Sequence, residues 1–592
     1  MEKVIMSGNE AVARGAYEAG VLWASAYPGT PSTEILENTA KYKEIHSQWS
    51  NNEKVALETA CGASIGGERA FAAMKHVGLN VAADPLMTIA YEGVNGGLVV
   101  ITADDPGCHS SQNEQDNRNY ATLGKVLMLE PSDSQECKDM FKLAFEMSER
   151  FDMVVLFRMT TRVCHSKSIV ELGERQEPKI KKYVSDKMKF AMLPASARLR
   201  HIAIEENLEK ARAYAETSPL NIVEYNGDNK VGIITSGISY QHCREAFGDT
   251  VSYLKLGITN PLADNLIKEF CEKCETVHVV EEGDGYLEIG VRHLKLDCTG
   301  KELITCQGEL TAEIVKTSLT EAKSEPTYDF PQLKDIPARP PVFCAGCPHR
   351  GFFYSMSKFR DKVVGMGDIG CYGLGWQEPF NCEETCVCMD AGTSTTIGMA
   401  NALKNQDDTR KPLGFQGDST FFHGGFTGFI DAVHYNTNAI LCILDNDITA
   451  MTGHQLNAAN DTGLMGEPVH KLNVTDMIYA TGIDKDRVAV VDPMNQAEMD
   501  GALKHAIETD GLQVIVTKYP CALLKWDIQQ RAGRHCVIDA DKCVGCKMCM
   551  KVACPALAFD DGKAHIADPA ACTGCGLCMQ NCKVGAITKV GE

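Results

Sequence analysis

What this 592-residue chain lacks narrows its function before any motif is considered. No stretch approaches the roughly 18 consecutive apolar residues of a membrane-spanning helix, so no membrane association is expected. No basic stripe is present: 58 Lys and Arg stand against 79 Asp and Glu, a formal net charge of −21. That balance argues against nucleic acid as a partner. The opening residues, MEKVIMSGNEA, contain no apolar signal region, so secretion is not expected. No internal repeat occurs at solenoid spacing. Cysteine, in contrast, is plentiful, with 26 residues. Without a signal segment, that number predicts a reducing, anaerobic cytoplasm. Hydrophobic residues make up 44% of the chain, enough for several packed domains.

Eight of the cysteines form two tandem runs in the last 50 or so residues. The first run is Cys543-x2-Cys546-x2-Cys549-x4-Cys554-Pro555, and the second is Cys572-x2-Cys575-x2-Cys578-x3-Cys582. Zinc sites use four ligands in two separated pairs, not two triplets each with a trailing fourth. The runs resemble a two-cluster ferredoxin, in which three cysteines of a run hold one cubane and the fourth reaches across to the other. The assignment is therefore Cys543, Cys546, Cys549 and Cys582 for one 4Fe-4S cluster, and Cys572, Cys575, Cys578 and Cys554 for the second. The first run has one residue more than usual before its fourth cysteine, and Cys582 is followed by Lys583 rather than proline. Neither departure removes a ligand. Electrons enter or leave through this tail.

Alternating strand and helix patterns with Gly-rich turns read as an α/β domain over residues 1–185. Within it, Gly97–Ala103 is an apolar run suited to a buried parallel strand. Residues 186–228 are rich in charged helix formers and read as a connector. A smaller α/β unit occupies 229–325, with strands expected at Lys230–Thr235 and Thr276–Val280. Its Glu281-Glu282-Gly283-Asp284-Gly285 reads as a solvated turn in preference to an interface loop. A Pro-rich linker covers 326–341. A third α/β domain spans 342–530, and the tail occupies 531–592.

The third domain contains Gly417-Asp418-Ser419, then 26 residues, then Asn446-Asp447-Ile448 directly after the apolar strand Ala439–Leu444. Gly417 allows a sharp turn after a strand. Asp418 offers a hard carboxylate oxygen, Asn446 a second oxygen from the next strand, and the Ile448 carbonyl a third. Magnesium takes an octahedron of oxygens, commonly completed by cofactor phosphates. The carboxyl edge of an open α/β sheet is where such ligands bind. The pattern resembles the thiamine-diphosphate motif, with serine in place of its second glycine.

Four segments join these pieces: Tyr27-Pro28-Gly29-Thr30-Pro31-Ser32, Asn52-Glu53-Lys54, Met74-Lys75-His76-Val77-Gly78-Leu79-Asn80 and His109-Ser110-Ser111-Gln112-Asn113-Glu114-Gln115-Asp116. With them the chain resembles, over essentially its whole length, the large subunits of the 2-oxoacid:ferredoxin oxidoreductase family, and in particular those acting on indolepyruvate. The resemblance implies two thiamine-diphosphate-binding-type α/β domains (1–185 for the pyrimidine, 342–530 for the diphosphate), a transketolase-C-terminal-like domain at 229–325, and the two-cluster ferredoxin domain. It implies that Glu53 hydrogen-bonds the aminopyrimidine ring, a task suited to a carboxylate in a dry pocket. Glu58, one turn later, is the residue that could be mistaken for it. Thr30 would contact the substrate carboxylate or keto oxygen; read alone it is a turn hydroxyl beside Pro31. Gly417, Asp418, Ser419, Asn446, Ile448 and Met451 would line the cofactor, with Asp418, Asn446 and Ile448 on magnesium.

Pyruvate enzymes of this family place an arginine after the strand that here ends at Ala103, and this chain has Asp104-Asp105 instead. Near the position of their polar amide it has Met451. Both changes imply a roomier, more apolar pocket that takes arylpyruvates such as indolepyruvate, phenylpyruvate and hydroxyphenylpyruvate. The implied reaction is oxidative decarboxylation with coenzyme A to an aryl-acetyl-CoA and carbon dioxide, reducing two ferredoxins. A smaller β subunit would complete the enzyme, as an (αβ)2 assembly. The resemblance also implies a third 4Fe-4S cluster on Cys344, Cys347, Cys371 and Cys521, although Cys344-x2-Cys347 read alone fits zinc or a structural pair equally well. Cys382, Cys386 and Cys388 lie nearby at a spacing that matches no cluster. Two alternatives remain at this level: the same reaction on pyruvate or branched-chain 2-oxoacids, and an electron-transfer subunit with a vestigial thiamine site.

Overall fold

The computed structural model describes residues 2–320, 322 and 339–591. Most of the Pro-rich 326–341 stretch therefore lies outside the described residues. The chain divides into two compact units, Met1–Phe330 with Leu464–Glu467, and Pro331–Gly463 with Pro468–Glu592.

The first unit is built on a seven-stranded sheet. Six strands run parallel, in the spatial order Leu127–Leu129, Val155–Thr160, Leu98–Asp104, Ala70–Lys75, Trp23–Ala26 and His46–Trp49. Leu98–Asp104 and Val155–Thr160 are buried along their whole length, as expected of strands covered by helices on both faces. The chain leaves Trp23–Ala26 towards one side of the sheet and Ala70–Lys75 towards the other. Adjacent strands whose connections diverge open a crevice at their carboxyl ends, where ligands bind in sheets of this kind. Ile258–Asn260 joins the far edge antiparallel to Leu127–Leu129. In the chain this strand falls between Ser252–Lys255 and Thr276–Val280 of the smaller sheet, whose spatial order is Thr276–Val280, Val231–Thr235, Ser252–Lys255 and Ile222–Glu224.

The loop Glu281–Gly285 requires a correction. It is a buried interface and not a solvated turn: Glu281 and Glu282 are 1% and 4% exposed. Arg118, from the first sheet's side, donates to Glu281 Oε2 at 2.6 Å and to the carbonyls of Glu282 and Asp284.

The second unit holds a fully parallel five-stranded sheet, ordered Val363–Met366, Lys411–Gly417, Ile440–Asp445, Gln513–Lys518 and Val488–Val491. The tail follows as two short antiparallel pairs, His535–Ile538 with Ile587–Val590 and Leu557–Asp560 with Lys563–Ile566. It shares one apolar core with the five-stranded domain. Tyr354 also donates to Asn581 at 2.6 Å, and Gln580 donates to the Met494 carbonyl at 2.8 Å. No helix among the described residues is long and apolar enough to cross a membrane.

Candidate functional site

In the first unit, Thr30 and Glu53 follow the neighbouring strands Trp23–Ala26 and His46–Trp49, at the carboxyl edge beside the crevice. Asn52 caps the helix Glu53–Gly66 by accepting from the Val55 N–H at 2.8 Å, which fixes Glu53 as its first residue. An acidic side chain there is favoured by the helix dipole. Glu53 is 5% exposed. Glu58 is exposed and pairs with Lys54. Gly78 lies against Glu53 so closely that an added Cβ would stand 2.6 Å from its carboxylate oxygen. Lys75 comes from the strand on the crevice's other side and donates to the Ser110 carbonyl at 2.7 Å. Burial pushes its ammonium pKa down, opposed by Asp105 and Glu53. The Thr30 loop is tied by Asn9 to the Pro31 carbonyl (2.7 Å) and by Ser32 to the Gly29 carbonyl (2.9 Å).

The Asp104-Asp105 step is not free of arginine. Arg158 donates to Asp104 at 2.7 Å and to Glu130 at 2.6 Å, while Arg118 is held by Asp116 and Glu281. Both guanidinium groups are buried and matched by carboxylates, so neither offers a carboxylate site as it stands.

In the second unit, four adjacent strand ends deliver the candidate residues. Cys371 follows Val363–Met366, Asp418 follows Lys411–Gly417, Asn446 follows Ile440–Asp445, and Cys521 follows Gln513–Lys518. Asp418 is 2% exposed. Among the described residues no cationic side chain pairs with it; Asn457 donates to its Oδ2 at 3.0 Å. Burial, then the Asp445 carboxylate, pushes the Asp418 carboxyl well above the usual range. Ser419 shares a hydroxyl contact with Thr449 at 2.7 Å. Asn446 Oδ1 accepts from the Ile448 N–H at 3.2 Å, and the Asn446 carbonyl accepts from the Cys521 N–H at 3.0 Å. Met451 sits at the tip of the turn closed by Thr449 and Gln455 and is 53% exposed. No three His, Cys, Asp or Glu side chains converge on a single ion among the described residues. The magnesium set expected from the sequence comprises one carboxylate, one amide and one carbonyl. Of these, Asp418 supplies a buried carboxylate with no cationic partner among the described residues, a donor suited to a hard divalent cation.

The cysteines expected to hold a third cluster act on one another electrostatically, and no three of them form a metal-holding group among the described residues. Burial pushes the Cys347 thiol up to about 12, and Cys371 and Cys344 add to the shift. Burial, then Cys521 and Cys344, pushes Cys371 up to about 11. Cys521 is raised by burial, with Cys344 and Asp418 adding to it. Cys371 and Cys521 thus follow strands that flank those of Asp418 and Asn446. Cys382 is buried against the carbonyls of Phe353 and Phe380, whereas Cys386 and Cys388 are exposed.

The tail has two cavities. One is lined by Cys543, Cys546, Cys549 and Cys582, the other by Cys554, Cys572, Cys575 and Cys578. These are the two sets that the crossed ligand pattern pairs. Backbone N–H groups point at two of the sulfurs, Cys536 N–H to Cys572 at 3.2 Å and Ala586 N–H to Cys582 at 3.2 Å. Sequence reasoning missed Cys536, which lines the second cavity; its place seven residues before Cys543 was the available signal. It also missed Asn457 at Asp418 and Arg350 beside the cysteines.

A parallel sheet with a diphosphate-type motif at its carboxyl edge, joined to a two-cavity cysteine tail, defines a thiamine-diphosphate-dependent, iron–sulfur oxidoreductase of 2-oxoacids. The comparisons with known proteins agree. Residues 14–219 match the family described as pyruvate flavodoxin/ferredoxin oxidoreductase, thiamine diP-binding. Residues 368–517 match the thiamine pyrophosphate enzyme C-terminal TPP-binding domain, and 535–587 a 4Fe-4S dicluster domain. Proteins named indolepyruvate oxidoreductase subunit IorA are similar over the full length. That of Methanothermobacter thermautotrophicus is 39% identical, over 100% of this chain and 98% of its own. The Archaeoglobus fulgidus protein is 38% identical over 95% and 94%, and that of Pyrococcus horikoshii 37% over 100% and 97%. The chain belongs to the indolepyruvate oxidoreductase IorA family of 2-oxoacid:ferredoxin oxidoreductases.

Proposed function

We propose that this chain, together with a smaller partner subunit, oxidatively decarboxylates arylpyruvates with coenzyme A, giving aryl-acetyl-CoA and carbon dioxide and reducing ferredoxin. The full-length similarity to proteins named for indolepyruvate supports the aryl preference, as does the commitment of both buried arginines near Asp104 to carboxylates. The observation that carries the reading is the carboxyl edge of the five-stranded sheet. There Asp418, Asn446, Cys371 and Cys521 arrive from four adjacent strands, an arrangement in which an oxoacid site and an electron acceptor would share one edge.

Thiamine diphosphate, when bound, supplies the electron sink for decarboxylation. Asp418, Asn446 and the Ile448 carbonyl would hold magnesium and through it the diphosphate. Ser419 and Met451 would line the cofactor. Glu53 would accept a hydrogen bond from the aminopyrimidine and hold a proton there, with Gly78 leaving room for its carboxylate. Thr30, on its tethered loop, would orient the oxoacid. Cys344, Cys347, Cys371 and Cys521 would hold the cluster next to the cofactor. Cys554, Cys572, Cys575 and Cys578 would hold the second, and Cys543, Cys546, Cys549 and Cys582 the third. The exposed Cys546 and Val544 put the last of these next to solvent, where ferredoxin can reach it.

The test is reduction of viologen or ferredoxin by the anaerobically purified complex with coenzyme A, with and without magnesium and thiamine diphosphate. Cofactor-dependent reduction with indolepyruvate and little with pyruvate is expected. Activity confined to pyruvate or a branched-chain oxoacid would remove the aryl assignment. A cluster-replete complex inert towards every oxoacid would make the chain an electron-transfer subunit.

A further inference from the structure

Arg350 is the third residue of the helix Pro348–Ser357, just past the Cys344–Cys347 loop, and is 1% exposed. Among the described residues no carboxylate pairs with it. Its Nη1 donates to the carbonyls of Val552 (2.8 Å) and Ala553, and its Nη2 to those of Phe343 and Cys344 (3.3 Å). Its Nε has no partner. The side chain lines the cavity of Cys554, Cys572, Cys575 and Cys578. The same cavity is bounded by Ala345 and Gly346. Gly346, at φ +76°, lies so close to Thr573 that an added Cβ would overlap its side chain. The loop carrying Cys344 and Cys347 is therefore pressed against Thr573, the residue after Cys572, and one guanidinium ties it to the loop that leads into Cys554.

Four carbonyls accept from the two Nη groups of this cation without supplying charge. A buried cation without an anion is strongly disfavoured, and the arrangement makes sense only if an anion completes it. Four thiolates on a 4Fe-4S core form such an anion, and reduction adds a further negative charge to it. A fixed positive charge in a low-dielectric interior favours the more negative, reduced state. We propose that Arg350 is the counter-charge and positioning residue of the cluster held by Cys554, Cys572, Cys575 and Cys578, raising its reduction potential while clamping the Cys344–Cys347 loop against it. The inference rests on the ligand sets proposed above. It gives the two cavities of the tail different electrostatics: the cavity of Cys543, Cys546, Cys549 and Cys582 has in its lining the exposed Lys547, whose charge solvent screens, where the other has the buried Arg350.

The experiment is an EPR-monitored redox titration of the whole complex, with iron determination, for wild type, R350M, R350Q and R350K. The neutral variants should keep the wild-type iron content. One tail cluster should become about tenfold harder to reduce, which is about 59 mV more negative for a one-electron couple. The other should not move. R350K keeps the charge and should stay within about twofold of wild type in the same equilibrium. Neutral variants with full iron and unmoved potentials overturn the proposal. So does an R350K shift as large as that of R350M, a comparison that survives if a neutral variant fails to assemble. Cys554→Ser locates the cluster and should alter the EPR signal of the one that R350M moves. If it alters the other, the ligand assignment fails and the proposal with it. Unmoved potentials beside the expected Cys554→Ser signature overturn the proposal alone.

Discussion

Arg118 and Arg350 are equally buried, each 1% exposed, and they are held in opposite ways. In the first unit Arg118 is enclosed by Asp116 and Glu281, and its neighbour Arg158 by Asp104 and Glu130. Every cation in that network has its anion inside the protein. In the second unit, among the described residues, Arg350 has carbonyls and no carboxylate, and Asp418 has an amide donor and no cation. A closed network is a structural device, since breaking one member strands the others. Buried charges left open in a folded chain mark places where charge arrives from outside, and under the readings proposed above that charge would be a metal–diphosphate at Asp418 and an iron–sulfur core at Arg350.

The strongest way to break this contrast is to remove an open charge. Asp418→Asn is expected to abolish retention of thiamine diphosphate through gel filtration and to lower oxoacid-dependent viologen reduction by about 10³-fold or more, the scale of losing a positioned cofactor group. The contrast also makes a less obvious demand. Without cofactor, the same substitution should stabilise the chain, by about 1–3 kcal/mol in a denaturant titration, because it replaces an unpaired buried carboxyl with a neutral amide. A cofactor-free variant less stable than cofactor-free wild type would show that Asp418 is internally compensated after all.

Glu53 sharpens the comparison within the first unit, because it is buried without belonging to the closed arginine network. Glu53→Gln should cost about 10²–10⁴-fold in turnover with cofactor binding retained, the usual range for a proton-transfer group. Gly78→Ala should mimic that loss, since its Cβ would stand 2.6 Å from the Glu53 carboxylate. Glu58→Gln, on the exposed face beside Lys54, should leave turnover unchanged. Equal losses at 53 and 58 would remove the assignment.

These residues differ in how far the sequence alone could reach them. The tail cysteines and the Gly417-Asp418-Ser419/Asn446 motif are legible because ligand spacing is local and each motif follows an apolar strand. Arg350 is not legible, since its carbonyl partner Val552 is 202 positions away. Glu281-Glu282 misleads for the same reason: two adjacent glutamates before a Gly-rich turn look solvated until Arg118, 163 positions earlier, is found against Glu281. The strand Ile258–Asn260 is three residues long, too short for any periodicity to reveal that it pairs with the first sheet. Asn457 shows no signal at all, being a loop amide whose role appears only through its 3.0 Å contact with Asp418.

Opening the closed network tests the other side of the contrast. Arg118→Met leaves Asp116 and Glu281 buried without their cation, and it should destabilise the cofactor-free chain by about 3–5 kcal/mol in a denaturant titration. Arg350→Met in the same cofactor-free state should cost far less, because it strands no carboxylate. If the two substitutions cost the same, the distinction between closed and open networks fails.

The smallest effect concerns Glu282, a buried acid at the edge of the closed network. It is 4% exposed, and burial pushes its carboxyl up to about 7, against the opposing Leu310 N–H and Arg158. Folding therefore favours its protonated form. A group whose folded pKa is raised stabilises the fold fully below its unfolded value, near 4.5, and that contribution is lost as pH rises towards about 7. Wild type should lose roughly 2–3 kcal/mol of stability across this window from Glu282 alone. Glu282→Gln retains an oxygen that can accept from Leu310 and cannot ionise. Its stability should therefore vary less with pH, and the two proteins should diverge above pH 6 with the variant the more stable. Parallel pH–stability curves for wild type and Glu282→Gln would mean that Arg158 and Arg118 already neutralise Glu282, and the closed network would then be larger by one acid.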